Sequence, residues 1–226
     1  MRQAFAAELA ELERRMIDRL SAAANTLETI AGAVRDATAY RVATIAKDGR
    51  ELRDYARGIH SGLVVIAARQ TPVAADLRLV MALIEVAHHT VLIANQFELI
   101  SEQLSGTDPA IKDRLEAAEK LSRMCALASG QLRKAATAFR TRDLAAALEL
   151  DRDDEATDRL NREIFEAAAG AELPTPQREL AFRQVLIARC LERIADNAVD
   201  VGEQAAFVMT ADLRQFSDAS QPRSRT

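Results

Sequence analysis

The sequence is poor in the residues that break a chain into short elements. It has 8 glycines, 5 prolines, 2 cysteines and no tryptophan among 226 residues, and aromatic residues make up 4%. The scarcity of glycine and proline disfavours a fold of many short strands joined by turns. Because aromatic side chains are few, small and aliphatic residues must fill the core, and hydrophobic residues reach 49%. The composition predicts an all-α protein built from long helices.

An excess of either charge is also missing. The chain has 30 basic and 34 acidic residues and a formal net charge of -4. A dedicated nucleic-acid-binding protein would show a basic stripe, which this sequence lacks. No uninterrupted apolar run reaches the roughly 18 residues of a membrane span, and the N-terminal residues lack the apolar core of a signal peptide. We therefore expect a cytoplasmic protein that binds no nucleic acid.

The residue patterns of common catalytic sites are absent. There is no Gly-x-Ser-x-Gly sequence, no glycine-rich phosphate loop and no histidine pair of a metalloprotease. Cys125 and Cys190 lie within apolar helical patterns, which predicts reduced core thiols rather than a disulfide or a metal pair. We therefore predict that the protein is not an enzyme.

The three histidines offer a weak metal signal. Glu85 and His88 match the Glu-x-x-His spacing of di-iron helical bundles, but these bundles need two such motifs and the sequence has one. We therefore predict that His88 and His89 form a polar edge of a helix and that His60 lies on a helix surface.

The spacing of apolar residues divides the chain into six long helices. From Phe5 to Val34 apolar residues recur in steps of three and four, which is typical of one buried helical face. Asp36 is predicted to cap the second helix, and Thr71-Pro72 separates it from the third. The other break signals are Ser105 to Pro109, with Asp108 as a predicted cap, and Arg142-Asp143, which is predicted to open the fifth helix. Pro174-Thr175-Pro176 repeats the cap-then-proline signal before the sixth.

Three helices, a break and three more helices indicate an internal repeat. In this alignment Val91 matches Glu192, Asn95 matches Asp196, and Asp48 matches Asp154. We predict a first three-helix bundle over residues 1–106, a second over 107–212, and a disordered tail over 213–226.

The strongest polar pattern is a set of acidic residues on the fifth and sixth helices. Like charges stacked along a helix repel one another, and a cation would offset that repulsion. Oxygen ligands suit Mg²⁺, Ca²⁺, Mn²⁺ or iron. The alternative is that these acids form ordinary surface pairs with arginines, since Arg189 and Arg193 flank Glu192. The predicted metal ligands are Asp154, Asp158, Glu192, Asp196 and Asp200.

Two segments carry a family resemblance. Residues 69–78, with the sequence Arg-Gln-Thr-Pro-Val-Ala-Ala-Asp-Leu-Arg, and residues 190–196, with Cys-Leu-Glu-Arg-Ile-Ala-Asp, resemble the PhoU family of phosphate-transport regulators, as do Asp48 and Asp154. The resemblance implies two tandem three-helix bundles. It also implies a negative regulator of phosphate uptake and of the phosphate-starvation (Pho) response, which acts on the ATPase of the phosphate ABC transporter and on a sensor histidine kinase.

Some members of that family bind iron or zinc through Glu/Asp-x-x-x-Asp motifs. This sequence departs from the pattern in its first half, where Val91 and Asn95 hold the positions of the acids. A valine cannot bind a cation, so we predict that Val91 and Asn95 are non-binding, that Asp48 is a residual ligand, and that divalent or iron cations bind only at the second bundle.

Other functions stay open. The acidic residues also fit a metal-binding helical bundle that serves as a metal store or a metal-dependent enzyme. A structural helical scaffold is a third reading. Long amphipathic helices are compatible with a homodimer, and we expect contact with a membrane only through the transporter.

Overall fold

The computed structural model describes residues 2–70, 72–106, 115–170, 172 and 174–212. Within these ranges the chain forms six α-helices and no strand, which confirms the predicted all-α class. The helices are α1 (Arg2–Ala33), α2 (Ala39–Arg69), α3 (Ala75–Ser105), α4 (Leu115–Thr141), α5 (Leu144–Gly170) and α6 (Thr175–Thr210).

Each half of the chain folds as a three-helix bundle. In the first, α2 and α3 form a closely packed antiparallel pair that α1 covers; in the second, α5 and α6 form the pair that α4 covers. The tandem arrangement is therefore confirmed. The boundary after residue 106 adjoins residues 107–114, which lie outside the described residues together with the tail 213–226, so these limits stay predictions.

The structure corrects two of the predicted helix starts. Thr38, rather than Asp36, caps α2, because its side chain accepts a hydrogen bond from the Arg41 N–H. α6 begins at Thr175 itself and Pro174 precedes it without a side-chain cap. The fifth helix opens directly after Arg142-Asp143 as predicted, and Asp143 Oδ1 accepts a hydrogen bond of 3.0 Å from the Ala146 N–H at the start of α5.

The two bundles share one continuous hydrophobic core that runs from Phe5 to Phe207. α1 packs against α4, and α3 packs against α6. Small side chains allow α1 and α4 to approach closely, and the buried Ser129 hydroxyl donates a hydrogen bond of 3.2 Å to the Ala24 carbonyl. A serine hydroxyl that bonds to a neighbouring helix satisfies its own polarity inside the core. The halves are therefore joined through their interiors.

α3 packs both within the first bundle and against the second, and it is strongly apolar. By length and composition it is able to cross a membrane, with a mean hydropathy of 1.6 over 18 residues. In the structure 44% of that window is buried in the protein, and the helix packs against α1, α2 and α6. Packing against three other helices accounts for part of its apolar character.

Both cysteines are free and buried, as predicted. Burial raises the pKa of Cys125 far above its usual value and raises that of Cys190 to about 11. The thiolate is the reactive form of cysteine, so neither side chain is suited to act as a nucleophile.

Two glycines set the register of the antiparallel pairs. A Cβ atom on Gly49 of α2 would lie 3.0 Å from the Ala94 carbonyl oxygen of α3. A Cβ atom on Gly202 of α6 would lie 2.5 Å from Leu150 Cδ1 and 3.3 Å from the Ala147 carbonyl oxygen of α5. The helices touch at these points because the glycines have no side chain, and each contact fixes which residues face one another along its pair.

Two glycine substitutions in α2 are expected to have opposite effects on stability. Gly49→Ala should lower the free energy of unfolding by about 1–2 kcal/mol, because the new methyl group is crowded against the α3 backbone. Gly58 has nothing within 4 Å of an added Cβ, so Gly58→Ala should raise stability by about 0.5–1 kcal/mol through helix propensity. Urea unfolding measures the free energy of unfolding of both variants. If Gly49→Ala raised stability, the contact with α3 would have room for a methyl group.

Candidate metal centre

Three of the predicted ligands meet between α5 and α6. The contact at Gly202 places Asp154 of α5 level with Asp196 of α6, and Asp158 follows one turn after Asp154. One carboxylate oxygen from each of the three residues lies within 4.8 Å of the other two. We call Asp154, Asp158 and Asp196 the acid cluster.

The acid cluster is closed on the protein side and open on the other. Asp154 is buried with 8% exposure, Asp158 is half-buried, and Asp196 is on the exposed rim. Gln131 of α4 lies beneath the cluster and its Nε2 donates a hydrogen bond of 3.1 Å to Asp154 Oδ1. The other amide atom of this side chain, Oε1, is buried and has no hydrogen-bond partner among the described residues. An ion can therefore enter from solvent and meet a carboxylate that the protein already holds in place.

The electrostatics of the cluster favour a cation. Burial is the main cause of the raised pKa of Asp154, and the nearby charges of Asp158 and Glu192 add to it. Desolvation followed by the charges of Asp154, Glu192 and Asp158 raises the pKa of Asp196, against the lowering effect of Arg189. Between α5 and α6 the carboxylates are partly removed from water and repel one another, and a cation placed among them would stabilise their negative charges.

The donor set fits a hard or borderline cation. Asp154, Asp158 and Asp196 would hold it through oxygen atoms, which Mg²⁺, Ca²⁺, Mn²⁺ and iron accept. A bound cation would neutralise the repulsion and tie α5 to α6. The chain's own contribution is to position Asp154 through Gln131 and to keep the inner side of the site closed to water.

The other two predicted ligands lie elsewhere. Glu192 is nearly buried and its carboxylate pairs with Arg189 of the same helix. Asp200 lies on the side of α6 that faces α3, with its Oδ2 3.2 Å from His89 Nδ1. Successive steps of four residues drift by about 40° around a helix, so Glu192 and Asp200 lie on either side of the face that carries Asp196.

The structure also corrects the prediction for His89. Its side chain is 16% exposed and lies between the two bundles, where its Nδ1 is 2.9 Å from Asn197 Oδ1. The Asn197 Nδ2 donates to the Arg193 carbonyl, so Oδ1 faces the ring and Nδ1–H donates to it. Burial alone would lower the pKa of His89, but its hydrogen bonds to Asp200 and Asn197 raise it above the usual value. His89 is thus a polar contact of the α3–α6 interface.

Sequence reasoning also missed Gln131. A signal was present, because Gln131 follows Met124 and Ala128 on the apolar face of α4, where a polar side chain needs a buried partner. The partner, Asp154, lies on another helix and is not visible from the periodicity of α4.

The first bundle has a different arrangement at the equivalent position. Arg53 of α2 donates a hydrogen bond of 3.2 Å through Nη1 to Asn95 Oδ1, and its Nη2 lies 2.6 Å from Glu98 Oε1. The side chains of Arg53 and Glu98 are 23% and 25% exposed. Asp48 is engaged as well, because Thr26 of α1 donates a hydrogen bond of 3.0 Å to its Oδ2.

A metal ion therefore does not fit at this position of the first bundle. The guanidinium of Arg53 supplies the positive charge there, Val91 has no donor atom, and Asp48 is held by α1. That Val91 and Asn95 do not bind metal stays a prediction, and the Arg53 ion pair gives a structural reason to expect it.

Comparison with known proteins agrees with the sequence resemblance. A family model described as the PhoU domain matches residues 121–205. The phosphate-specific transport system accessory protein PhoU homolog 1 of Methanothermobacter thermautotrophicus is 27% identical over 170 residues, which cover 74% of this chain and 77% of that protein.

Solved structures show the same fold. The phosphate transport system regulatory protein PhoU from Streptococcus pneumoniae superposes with a TM-score of 0.82 at 19% identity, covering 93% of this chain and 99% of that one. PhoU from Pseudomonas aeruginosa gives a TM-score of 0.82 at 19% identity, covering 92% of this chain and 100% of that one. The tandem-bundle fold therefore extends over nearly the whole chain.

Replacing the exposed acid of the cluster is expected to act in opposite directions with and without metal. Without metal, Asp196→Asn should raise stability slightly, by about 0.5 kcal/mol, because it removes repulsion at a solvent-exposed position. With Mn²⁺ at about 100 times its dissociation constant, the unchanged protein should gain about 2.7 kcal/mol and the variant much less. Thermal unfolding with and without Mn²⁺ measures both effects.

The matched control is Asp200→Asn, one turn further along α6. It should keep the gain from Mn²⁺, because Asp200 contacts His89 and lies outside the cluster. An equal loss of the Mn²⁺ effect in both variants would show that the ion binds the acidic row as a whole.

Removing the internal cation of the first bundle is expected to destabilise the protein. Arg53→Ala should lower the free energy of unfolding by about 1–2 kcal/mol, because it leaves Asn95 and the half-buried Glu98 without their partner. Arg50→Ala, at an exposed position of the same helix, should change stability by less than about 0.5 kcal/mol. Urea unfolding compares them, and equal losses would mean that Arg53 contributes no more than a surface arginine.

Proposed function

We propose that this chain, a relative of the PhoU proteins, is an accessory regulator of phosphate transport that works by binding other proteins. The observation that carries the proposal is the agreement between the sequence similarity to a phosphate-transport accessory protein and the tandem-bundle fold of PhoU. Its proposed partners are the ATPase of the phosphate ABC transporter and a phosphate-sensing histidine kinase. Its proposed effect is to reduce phosphate uptake and the starvation response when phosphate is plentiful.

An exposed apolar surface on the second bundle supports a binding role. Phe165 of α5 is 59% exposed, and Phe182 and Leu186 of α6 are 64% and 50% exposed. The antiparallel register that faces Asp154 with Asp196 places residue 165 level with residues 182–186. Large apolar side chains grouped on a surface are typical of protein-binding sites. We call Phe165, Phe182 and Leu186 the apolar patch.

The apolar patch lies along the same seam as the acid cluster. Phe165 follows Asp158 by seven residues, which is close to two helical turns, and Phe182 precedes Asp196 by fourteen, which is close to four turns. One side of the α5–α6 pair therefore presents apolar rings near the α5–α6 connection and carboxylates further along. We propose that a partner docks on this side, so that a cation in the acid cluster would change the charge that the partner meets.

The remaining parts of the proposal follow from the partners. A regulator of a transporter ATPase would work in the cytoplasm and meet the membrane only through the transporter. A homodimer is compatible with a surface that carries apolar side chains on both bundles, among them Val64 and Met81 on the first.

The second candidate function is a metal-binding helical bundle that stores metal or uses it in a reaction. The acid cluster is the observation that favours it. The two candidates differ in what Asp196→Asn should do. A metal store or enzyme would lose its whole function with the cluster, whereas a regulator would keep binding its partners and show a changed response.

Complementation of a deletion strain tests the regulatory proposal. In high phosphate, loss of the gene should raise phosphate uptake and starvation-gene expression severalfold, and the unchanged gene should restore both to low levels. The gene for the double variant Phe165→Ser, Phe182→Ser should fail to lower uptake and gene expression, because the variant lacks much of the apolar patch. Less transporter ATPase should co-purify with this variant than with the unchanged protein.

Tyr40→Ser provides the control for this experiment. Tyr40 is 81% exposed and lies on the first bundle, away from the apolar patch, so its loss should leave complementation intact. A deletion that leaves uptake and gene expression unchanged would refute the regulatory function. Full complementation by the double variant would show that the apolar patch is not the docking surface.

A further inference from the structure

A second group of side chains of types that can ligate a metal lines a groove on the first bundle, between α2 and α3. The groove has a volume of about 470 Å³. His60 of α2 and Glu85 and His88 of α3 line it together with Arg57, and all four are exposed. None of these side chains belongs to the acid cluster, which lies on the other bundle.

The fold places the three donors opposite one another. In the antiparallel α2–α3 pair, Gly49 contacts Ala94 and Arg53 contacts Asn95. Two further turns along α2 reach residue 60, and two or three turns back along α3 reach residues 85–88. Glu85 and His88 are three residues apart, a spacing that puts neighbouring side chains on one helical face with about 5–6 Å between their Cβ atoms. One imidazole from α2 therefore faces an imidazole and a carboxylate from α3.

The second bundle has no such group at the equivalent position. By the repeat alignment, Leu186 and Arg189 of α6 stand where α3 has Glu85 and His88. An arginine and a leucine do not bind a divalent cation, so the groove chemistry is particular to the first bundle. It lies along the seam in which Val91 replaces an acid, and Val91 forms part of its wall.

The donor types indicate which ions would bind. Two imidazole nitrogens and one carboxylate oxygen suit Zn²⁺, Ni²⁺, Co²⁺ or Cu²⁺, whereas Mg²⁺ and Ca²⁺ prefer oxygen alone. Three protein ligands leave a position of a tetrahedral ion open to water. In the structure the side chains line the groove rather than meet at one point, and rotation about their side-chain bonds, which are exposed, would bring the donor atoms together.

We propose that His60, Glu85 and His88 form a binding site for a borderline divalent ion such as Zn²⁺. The chain would then carry two sites of different chemistry, one of oxygen donors on the second bundle and one rich in imidazole on the first. Arg57 would oppose the ion by charge and so limit its affinity. The site does not depend on the regulatory role proposed above.

Zinc titration in an Asp196→Asn background tests the proposal, because that change weakens the acid cluster. Calorimetry should show one Zn²⁺ per chain. His60→Ala and His88→Ala should each weaken Zn²⁺ binding by about tenfold or more. The double variant should bind Zn²⁺ only slightly more weakly than the weaker single variant, because each single change already breaks the shared chelate. Arg57→Ala should strengthen binding severalfold. All four positions are exposed, so circular dichroism should show unchanged folding.

Nuclear magnetic resonance of ¹⁵N-labelled imidazoles gives an internal control, because the chain has three histidines. One equivalent of Zn²⁺ should shift the signals of His60 and His88, while His89, which is held between the bundles, stays unchanged. One equivalent of Mg²⁺ should shift none of them. Unshifted His60 and His88 signals would overturn the proposal. The proposal would also be overturned if the losses of Zn²⁺ affinity in His60→Ala and His88→Ala added independently in the double variant, because the two histidines would then bind ions separately.

Discussion

The close approach of helix backbones at Gly49 and Gly202 is the constraint on which the chemistry of this protein depends. Each contact fixes the register of an antiparallel pair, and the register decides which side chains share a seam. In α5–α6 the result is a group of carboxylates and, further along, a group of exposed apolar rings. In α2–α3 the result is an arginine ion pair and a groove with two imidazoles. The same helical frame thus presents different chemistry wherever the residues along the seam differ.

The two halves differ in whether a positive side chain lies among their paired polar residues. In the first bundle the Arg53 guanidinium is part of the chain and pairs with Asn95 and Glu98. In the second bundle Gln131 donates a hydrogen bond to Asp154, and the raised pKa values of Asp154 and Asp196 reflect burial first and repulsion between neighbouring carboxylates second. A covalently attached cation is always present, whereas a diffusible one depends on its concentration. The charge at the acid cluster is therefore open to change, and the charge of the Arg53 ion pair is fixed.

Much of the fold follows from the sequence because helix formation is largely local. Steps of three and four between apolar residues identified the helices, and the breaks at Thr71-Pro72 and Arg142-Asp143 separated them. The cap at Thr38 was missed because Asp36 and Thr38 are both good capping residues, and the choice depends on how the chain leaves α1. At the site, spacing of four residues predicted that Asp154 and Asp158 share a face. It failed for Glu192 and Asp200, since spacing describes one helix and says nothing of the helix opposite. Arg189 and His89, which pair with these two acids, decide their roles.

The inequality of the two halves has a consequence for assembly. A molecule made of two identical halves related by a twofold axis presents the same surface in two orientations. A partner that contacts both halves would bind equally well in either orientation. Here the Arg53–Glu98 ion pair and the acid cluster occupy matching positions of the repeat, so a half-turn exchanges unlike surfaces. The two bundles of the repeat are therefore distinguishable, and a partner that contacts both can bind in one defined orientation.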